Sequence, residues 1–149
     1  MKHPFLLQAV WNGGRNSEGQ IEAGQLRTRI SIPKEMGGPG TGTNPDEMLL
    51  GAAATCYIIT LAAMLERSGI SAESLTLESE GIVDVTNNIF TYESIKHKPL
   101  IVLPADAPEE ILTKAELLAH KAESSCMISR AIAGNVALAS EPKIIRAEG

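Results

Sequence analysis

Asn44-Pro45-Asp46-Glu47-Met48-Leu49-Leu50-Gly51-Ala52-Ala53-Ala54-Thr55-Cys56-Tyr57 is the stretch on which the fold turns. Asn44 is a good N-cap, Pro45 suits the first helical position, Asp46 and Glu47 put acid in the first turn, and Glu47 stands in capping-box position. A helix is expected to start here, to run through residues 48–68 and to stop at Gly69, a length of about 36 Å at 1.5 Å per residue. Residues 48–65 carry no charge. A bilayer span needs about 20 strongly apolar residues. This run is instead rich in alanine, includes Gly51, Thr55, Cys56, Tyr57 and Thr60, and has no companion elsewhere. The expectation is a central helix buried all round by protein.

Outward from the helix, the pattern changes to period two. Residues 5–11 alternate loosely and residues 25–32 cleanly, with Leu26, Thr28, Ile30 and Ile32 on one side and Pro33 closing the run, so both read as strands. Residues 13–19 between them are turn chemistry that presents Arg15 on a loop beside a sheet edge. The Gly-rich residues 37–42 are too short for an interdomain linker. After the helix, residues 75–85 and 90–103 read as a second strand pair joined by a turn at Asn87-Asn88, with Pro99 marking a kink or an edge. Residues 108–123 form an amphipathic helix with Ile111, Leu112, Ala115, Leu118 and Ala119 on one face, interrupted by Ser124-Ser125. A short helix over 126–133 ends at Gly134, and residues 136–138 and 143–145 look like terminal strands. Strands and helices without regular βαβ alternation indicate an α+β fold.

A length of 149 residues fits one domain spanning 1–149. Hydrophobic residues at 44% and charged residues at 21% exclude disorder and fibrous repeats. The net charge of -5, with no basic run, argues against nucleic acid as a partner. The first ten residues carry a short apolar run interrupted by Gln8 and no small-residue cleavage site, so the chain is expected in the cytoplasm. Two cysteines without C-x-x-C spacing leave two readings, buried thiols or redox chemistry.

Cys56 has Ala52 and Ala53 one turn before it and Thr60 one turn after on the same face, which leaves room beside the sulfur. A packing role for a small buried thiol is the alternative. Cys126 stands at the start of a short helix, where unpaired amides can lower a thiol pKa; it too has a packing alternative. Arg15 and Asp46 complete a constellation, because a thiolate is favoured by a cation and the cation is held by a carboxylate. Each also has a plain reading, Arg15 as a solvated loop residue and Asp46 as a first-turn acid. His3, His97 and His120 show no metal-like spacing, no phosphate-binding loop precedes a strand-helix unit, and no cofactor is indicated.

Taken together, Gly13-Gly14-Arg15, the segment from Thr43 through Asn44-Pro45-Asp46-Glu47-Met48-Leu49 to Cys56, Cys126-Met127-Ile128-Ser129 and Gly134-Asn135-Val136 resemble the OsmC/Ohr family of peroxidases, in its organic hydroperoxide resistance branch. The resemblance covers nearly the whole chain in the family's order. It implies an OsmC-like α+β fold with antiparallel sheets around a long central helix, an intertwined homodimer with two interface sites, and a thiol peroxidase reduced by a dithiol such as a protein-borne lipoyl group. Carried over by position, Cys56 is the peroxidatic thiol, Cys126 the resolving thiol, Arg15 the activating cation and Asp46 the carboxylate that orients it. Two departures stand out. Asp46 takes the place of a usual glutamate, so Glu47 is an alternative carboxylate, and Met127 takes the place of a proline that commonly follows the second cysteine. Arg29 is the alternative cation.

Asp46 and Cys56 are ten residues apart, which on one continuous helix is about 15 Å along the axis and about 80° around it. Either the helix breaks near Gly51 or the carboxylate comes from a second copy of the chain, and the second is favoured because a helix tolerates glycine at about 1 kcal/mol. Two other functions compete: a thiol-disulfide redox sensor without peroxidase turnover, and a non-catalytic dimer that binds an apolar ligand.

Overall fold

The computed structural model describes residues 1–149. The chain divides into two compact units, Met1–Met48 and Leu49–Gly149. In the first, β1 (Gln8–Trp11), β2 (Gly19–Ala23) and β3 (Leu26–Ile30) form an antiparallel meander in that order. β1 starts three residues later than the apolar pattern suggests, and Phe5 and Leu6 before it are 93% and 83% exposed. β2 is an addition to the sequence reading. Its five residues carry a single large apolar side chain, Ile21, too little for a periodic signal.

After β3 the chain makes one 3-10 turn at Lys34–Met36 and returns alongside itself. The Ser31 amide donates to the Thr43 carbonyl at 3.1 Å and the Thr43 amide to Arg29 O at 2.9 Å. Gly42 at φ +68° permits this return, since a Cβ there would collide with the Arg29 carbonyl. The return delivers Asn44 to the start of α1 (Pro45–Arg67). Asn44 Oδ1 accepts from the Glu47 amide at 2.9 Å, the cap that the sequence proposes. α1 is unbroken through Gly51.

In the second unit, β4 (Ser74–Thr86) and β5 (Ile89–Leu103) form a long antiparallel hairpin. Asn87 and Asn88, at φ 53° and 62°, supply the left-handed pair that a two-residue hairpin turn needs. β6 (Ala137–Ser140) and β7 (Lys143–Arg146) then pair with β5 in parallel, along residues 94–97 and 100–103 respectively. Pro99 is therefore neither at an edge nor exposed. The His97 carbonyl accepts from Glu141 on the β6 side, so the nitrogen of Pro99, two residues on, faces the same side. There β6 has ended and β7 has not begun, and the missing N–H leaves no gap in a ladder.

Odd-numbered β5 residues Ile95, His97, Pro99, Ile101 and Leu103 are all buried and form one face of the core. Against them lie Tyr57, Leu61 and Leu65, an i, i+4 row of α1, and Ala115, Ala119 and Ala122 of α2 (Glu109–Ser125). α2 continues through Ser124 and Ser125 and yields only at Cys126, whose extended backbone (ψ 132°) also begins α3 (Met127–Ile132). Serine's helix propensity is only about 0.5 kcal/mol poorer than alanine's, too little to end a packed helix. Within one chain α1 is not buried all round. Only its Ala53, Tyr57, Leu61, Leu65 row is buried within the chain, and Ile59 is 63% exposed. α1 is by length and composition apolar enough to cross a bilayer.

The core contains one imidazole. His97 is fully buried, meets Ser79 Oγ through Nδ1 at 2.7 Å and stacks on Tyr57 with centroids 4.4 Å apart and planes 12° from parallel. Burial lowers its pKa below the usual 6.5. The unfolded chain therefore takes up this proton first, and stability should fall as pH drops below 6.5, by at most about 1.4 kcal/mol per pH unit until folded His97 also protonates. Glu123, whose pKa burial raises, acts in the opposite sense, because its contribution is lost as pH rises through its folded value. Urea unfolding of the wild type and His97→Gln from neutral to mildly acidic pH should show a shallower loss of stability in the variant. Equal slopes would remove His97 from the account.

Candidate active site

The two cysteines, seventy residues apart, meet in the second unit. Cys56, on the middle turns of α1, is half-buried, and Cys126, at the α2–α3 junction, is fully buried; both are free thiols. Cys126 is held there by its own amide, which donates to Ala122 O at 3.0 Å, and by its carbonyl, which accepts from Arg130 N at 3.0 Å. The turn between the helices aims the first amides of α3 at the Cys56 sulfur.

The electrostatics of the pair are asymmetric. Burial raises the Cys56 pKa, but hydrogen bonds to its sulfur from the Cys126 thiol, the Ile128 and Met127 amides and the Thr60 hydroxyl outweigh burial, and the net shift is downward. At Cys126 burial and the bond to Cys56 raise the pKa, and the Ser129 and Ile128 groups oppose this without reversing it. Ser129 Oγ is buried with no well-formed hydrogen bond, which leaves the Cys126 sulfur as the group it acts on. The arrangement thus favours the anionic form at Cys56, whose sulfur accepts the S–H of Cys126. The sequence reading places the activating helix start at Cys126 itself; the amides of that start act on both sulfurs, but only at Cys56 do the donors outweigh burial. Thr60 is visible in the sequence as the residue one turn on, whereas the Met127 and Ile128 amides have no sequence signal, being main-chain groups whose acceptor is set by tertiary contact.

Arg15 and Asp46 lie in the first unit. Arg15 is exposed; its guanidinium donates to Asn16 Oδ1 at 2.8 Å and to Met36 O at 3.3 Å. Arg29, also exposed, pairs with Glu18 at 3.1 Å. Asp46 is half-buried in the first turn of α1. Glu47 accepts from the Thr43 hydroxyl at 2.8 Å, which ties its carboxylate to the helix cap. With α1 continuous, Asp46 is about three turns before Cys56 on the same helix.

Met127 stands at the first position of α3, where proline is well tolerated. Met127→Pro should fold and remove one amide donor from the Cys56 sulfur, so the pH midpoint of Cys56 alkylation should rise. Cys126→Ala, which removes the thiol donor, should raise it as well. An unchanged midpoint in both variants would dismiss these groups as the source of the lowered pKa.

Residues 38–141 match the family described as OsmC-like protein. The chain is 63% identical over 142 residues, 95% of each chain, to the uncharacterized protein YmaD of Bacillus subtilis, and 27% identical, over 89% of each, to the organic hydroperoxide resistance protein of Xanthomonas axonopodis pv. citri. Among solved structures it is similar to the organic hydroperoxide resistance protein OsmC of Legionella pneumophila, with TM-score 0.72 and 27% identity over 99% of this chain and 100% of that one. The organic hydroperoxide resistance protein OhrB of Bacillus subtilis gives TM-score 0.64 and 26% identity, over 93% and 98% respectively.

Proposed function

The chain belongs to the OsmC-like family, and from that premise we propose that it is a thiol peroxidase that reduces organic hydroperoxides to alcohols. The observation that carries this reading is the Cys56–Cys126 pair, one thiol lowered and the other raised, with the lowered one partly open to solvent. The relatives named for organic hydroperoxide resistance support a peroxidase-like role for the family.

In this reading the Cys56 thiolate attacks one oxygen of the hydroperoxide, the O–O bond breaks, and the departing alkoxide takes a proton to leave as the alcohol. Cys56 is now a sulfenic acid. The Cys126 thiol attacks it, the sulfenic oxygen leaves as water, and a Cys56–Cys126 disulfide forms before further oxidation occurs. An external dithiol, such as a lipoyl group carried on a protein, exchanges with that disulfide, becomes a disulfide itself and returns both thiols. Arg15 is the cation assigned to the thiolate and to the departing alkoxide, oriented by Asp46. The apolar residues of α1 favour alkyl peroxides over hydrogen peroxide. No nucleic acid, membrane or cofactor enters the scheme, and the setting is the cytoplasm, where dithiol reductants work.

The working form is a homodimer. A monomer would leave in water the apolar flank of α1 and, separately, the Phe5-Leu6-Leu7 segment, each an apolar surface of the kind that marks an interaction site. An unbroken α1 also keeps Asp46 about 15 Å from Cys56 of its own chain, so the carboxylate at each site comes from the second copy.

Coupled turnover with cumene hydroperoxide and a dithiol tests the chemistry. Cys56→Ser should be inactive, whereas Cys126→Ser should complete one turnover and then accumulate sulfinic acid on Cys56, seen by mass spectrometry. Activity retained in Cys56→Ser, with sulfinic acid on Cys126, would reverse the roles; no turnover by the wild type would end the reading. For the shared site, mixed dimers of Cys56→Ser and Asp46→Ala should regain part of the activity that each lacks alone. No recovery in verified heterodimers would return the carboxylate to the same chain or deny it a role.

A further inference from the structure

Two observations on Tyr57 point beyond the cysteines themselves. Tyr57 follows Cys56 directly on α1 and is completely buried, and its hydroxyl donates to Ala119 O of α2 at 2.7 Å. Ala119 precedes Cys126 by seven residues, two helical turns, so the two lie on nearly the same face of α2, about 10 Å apart along its axis. One directional bond therefore ties the turn that carries Cys56 to the helix whose end carries Cys126. The neighbouring contacts of α2 in this layer are apolar and non-directional, made by the buried Ala115 and Ala122 and the partly buried Ile111, Leu112 and Leu118.

The tyrosine is itself held. Its ring stacks on His97 at 4.4 Å, and His97 meets Ser79 at 2.7 Å on the facing position of β4. A side chain clamped between a strand and a helix carbonyl cannot swing to follow a shifted α2.

We propose that Tyr57 is a positioning residue that sets the reach of Cys126 to Cys56, and with it how readily the two thiols close to a disulfide. The inference rests on the reading of these cysteines as a redox pair. Phenylalanine at this position keeps the ring and its stack and deletes only the hydroxyl's bond to Ala119 O.

The test needs no peroxide. Reduced protein is equilibrated with glutathione buffers, in which protein dithiol and oxidised glutathione exchange to protein disulfide and two reduced glutathiones, and the oxidised fraction is read by mass spectrometry. Tyr57→Phe should require about three- to ten-fold more oxidising buffer for half-closure, the loss expected for one net hydrogen bond. Ile101→Val, a mild core truncation in the same cluster, serves as the stability control and should leave the midpoint in place. The pH midpoint of Cys56 alkylation in a Cys126→Ser background should be the same with Tyr57 or Phe. An unshifted midpoint for Tyr57→Phe, an equal shift for Ile101→Val, or no Cys56–Cys126 disulfide in any buffer would overturn the inference. Failure of the peroxidase reading would appear separately, as absent hydroperoxide turnover by a wild-type protein that still closes its disulfide.

Discussion

A sulfur anion half-removed from water is unfavourable unless donors replace the lost solvent, and at Cys56 four protein groups do so. Two of them are main-chain amides, which are available only where a helix begins. The course of the chain from Glu109 to Ile132 follows from this need. α2 must end beside α1, the backbone must turn at Cys126 without helical geometry, and α3 must begin at once. The same turn buries Cys126, which makes its thiol a proton donor to its neighbour instead of a competing anion. One junction thus supplies both the charge stabilisation of the first sulfur and the second sulfur.

The packing around this junction uses small residues where helices approach and large ones where helix meets sheet. Ala115, Ala119 and Ala122 let α2 come close, while Tyr57, Leu61, Ile101 and Leu103 fill the space above the hairpin. Specific geometry therefore depends on a few polar contacts within an otherwise adaptable apolar layer. Tyr57, His97 and Ser79 make such contacts within the core. The outward side of α1 has no such arrangement inside the chain and is apolar nonetheless, a pattern that suits burial against protein more than against water.

Most of this architecture was legible where a local rule applies. Asn44 and Pro45 announce α1, and Asn87-Asn88 announces the hairpin turn, whereas the short helix ends at Ile132, two residues before Gly134, which lies in the turn that follows. The pairing of Cys56 with Cys126 was reached through family likeness, since nothing local relates residues seventy positions apart. What the sequence hid is tertiary. β2 carries one large apolar residue and owes its existence to partners on both sides. Pro99 reads as an edge because the handover between two parallel strands on its open side has no signature. His97 reads as one of three scattered histidines, and only the fold shows that it alone is fully buried.

That handover at Pro99 has a consequence for how the sheet opens. β5 is flanked on one side by two separate four-residue strands in place of one long strand. Their ladders share no hydrogen bond, so either strand can open without the other. Fluctuations of β7 are thereby decoupled from the strand beside Ile95 and His97. Amide exchange along this flank is therefore expected to distinguish the Lys143–Arg146 ladder from the Ala137–Ser140 ladder, with the proline as the boundary between them.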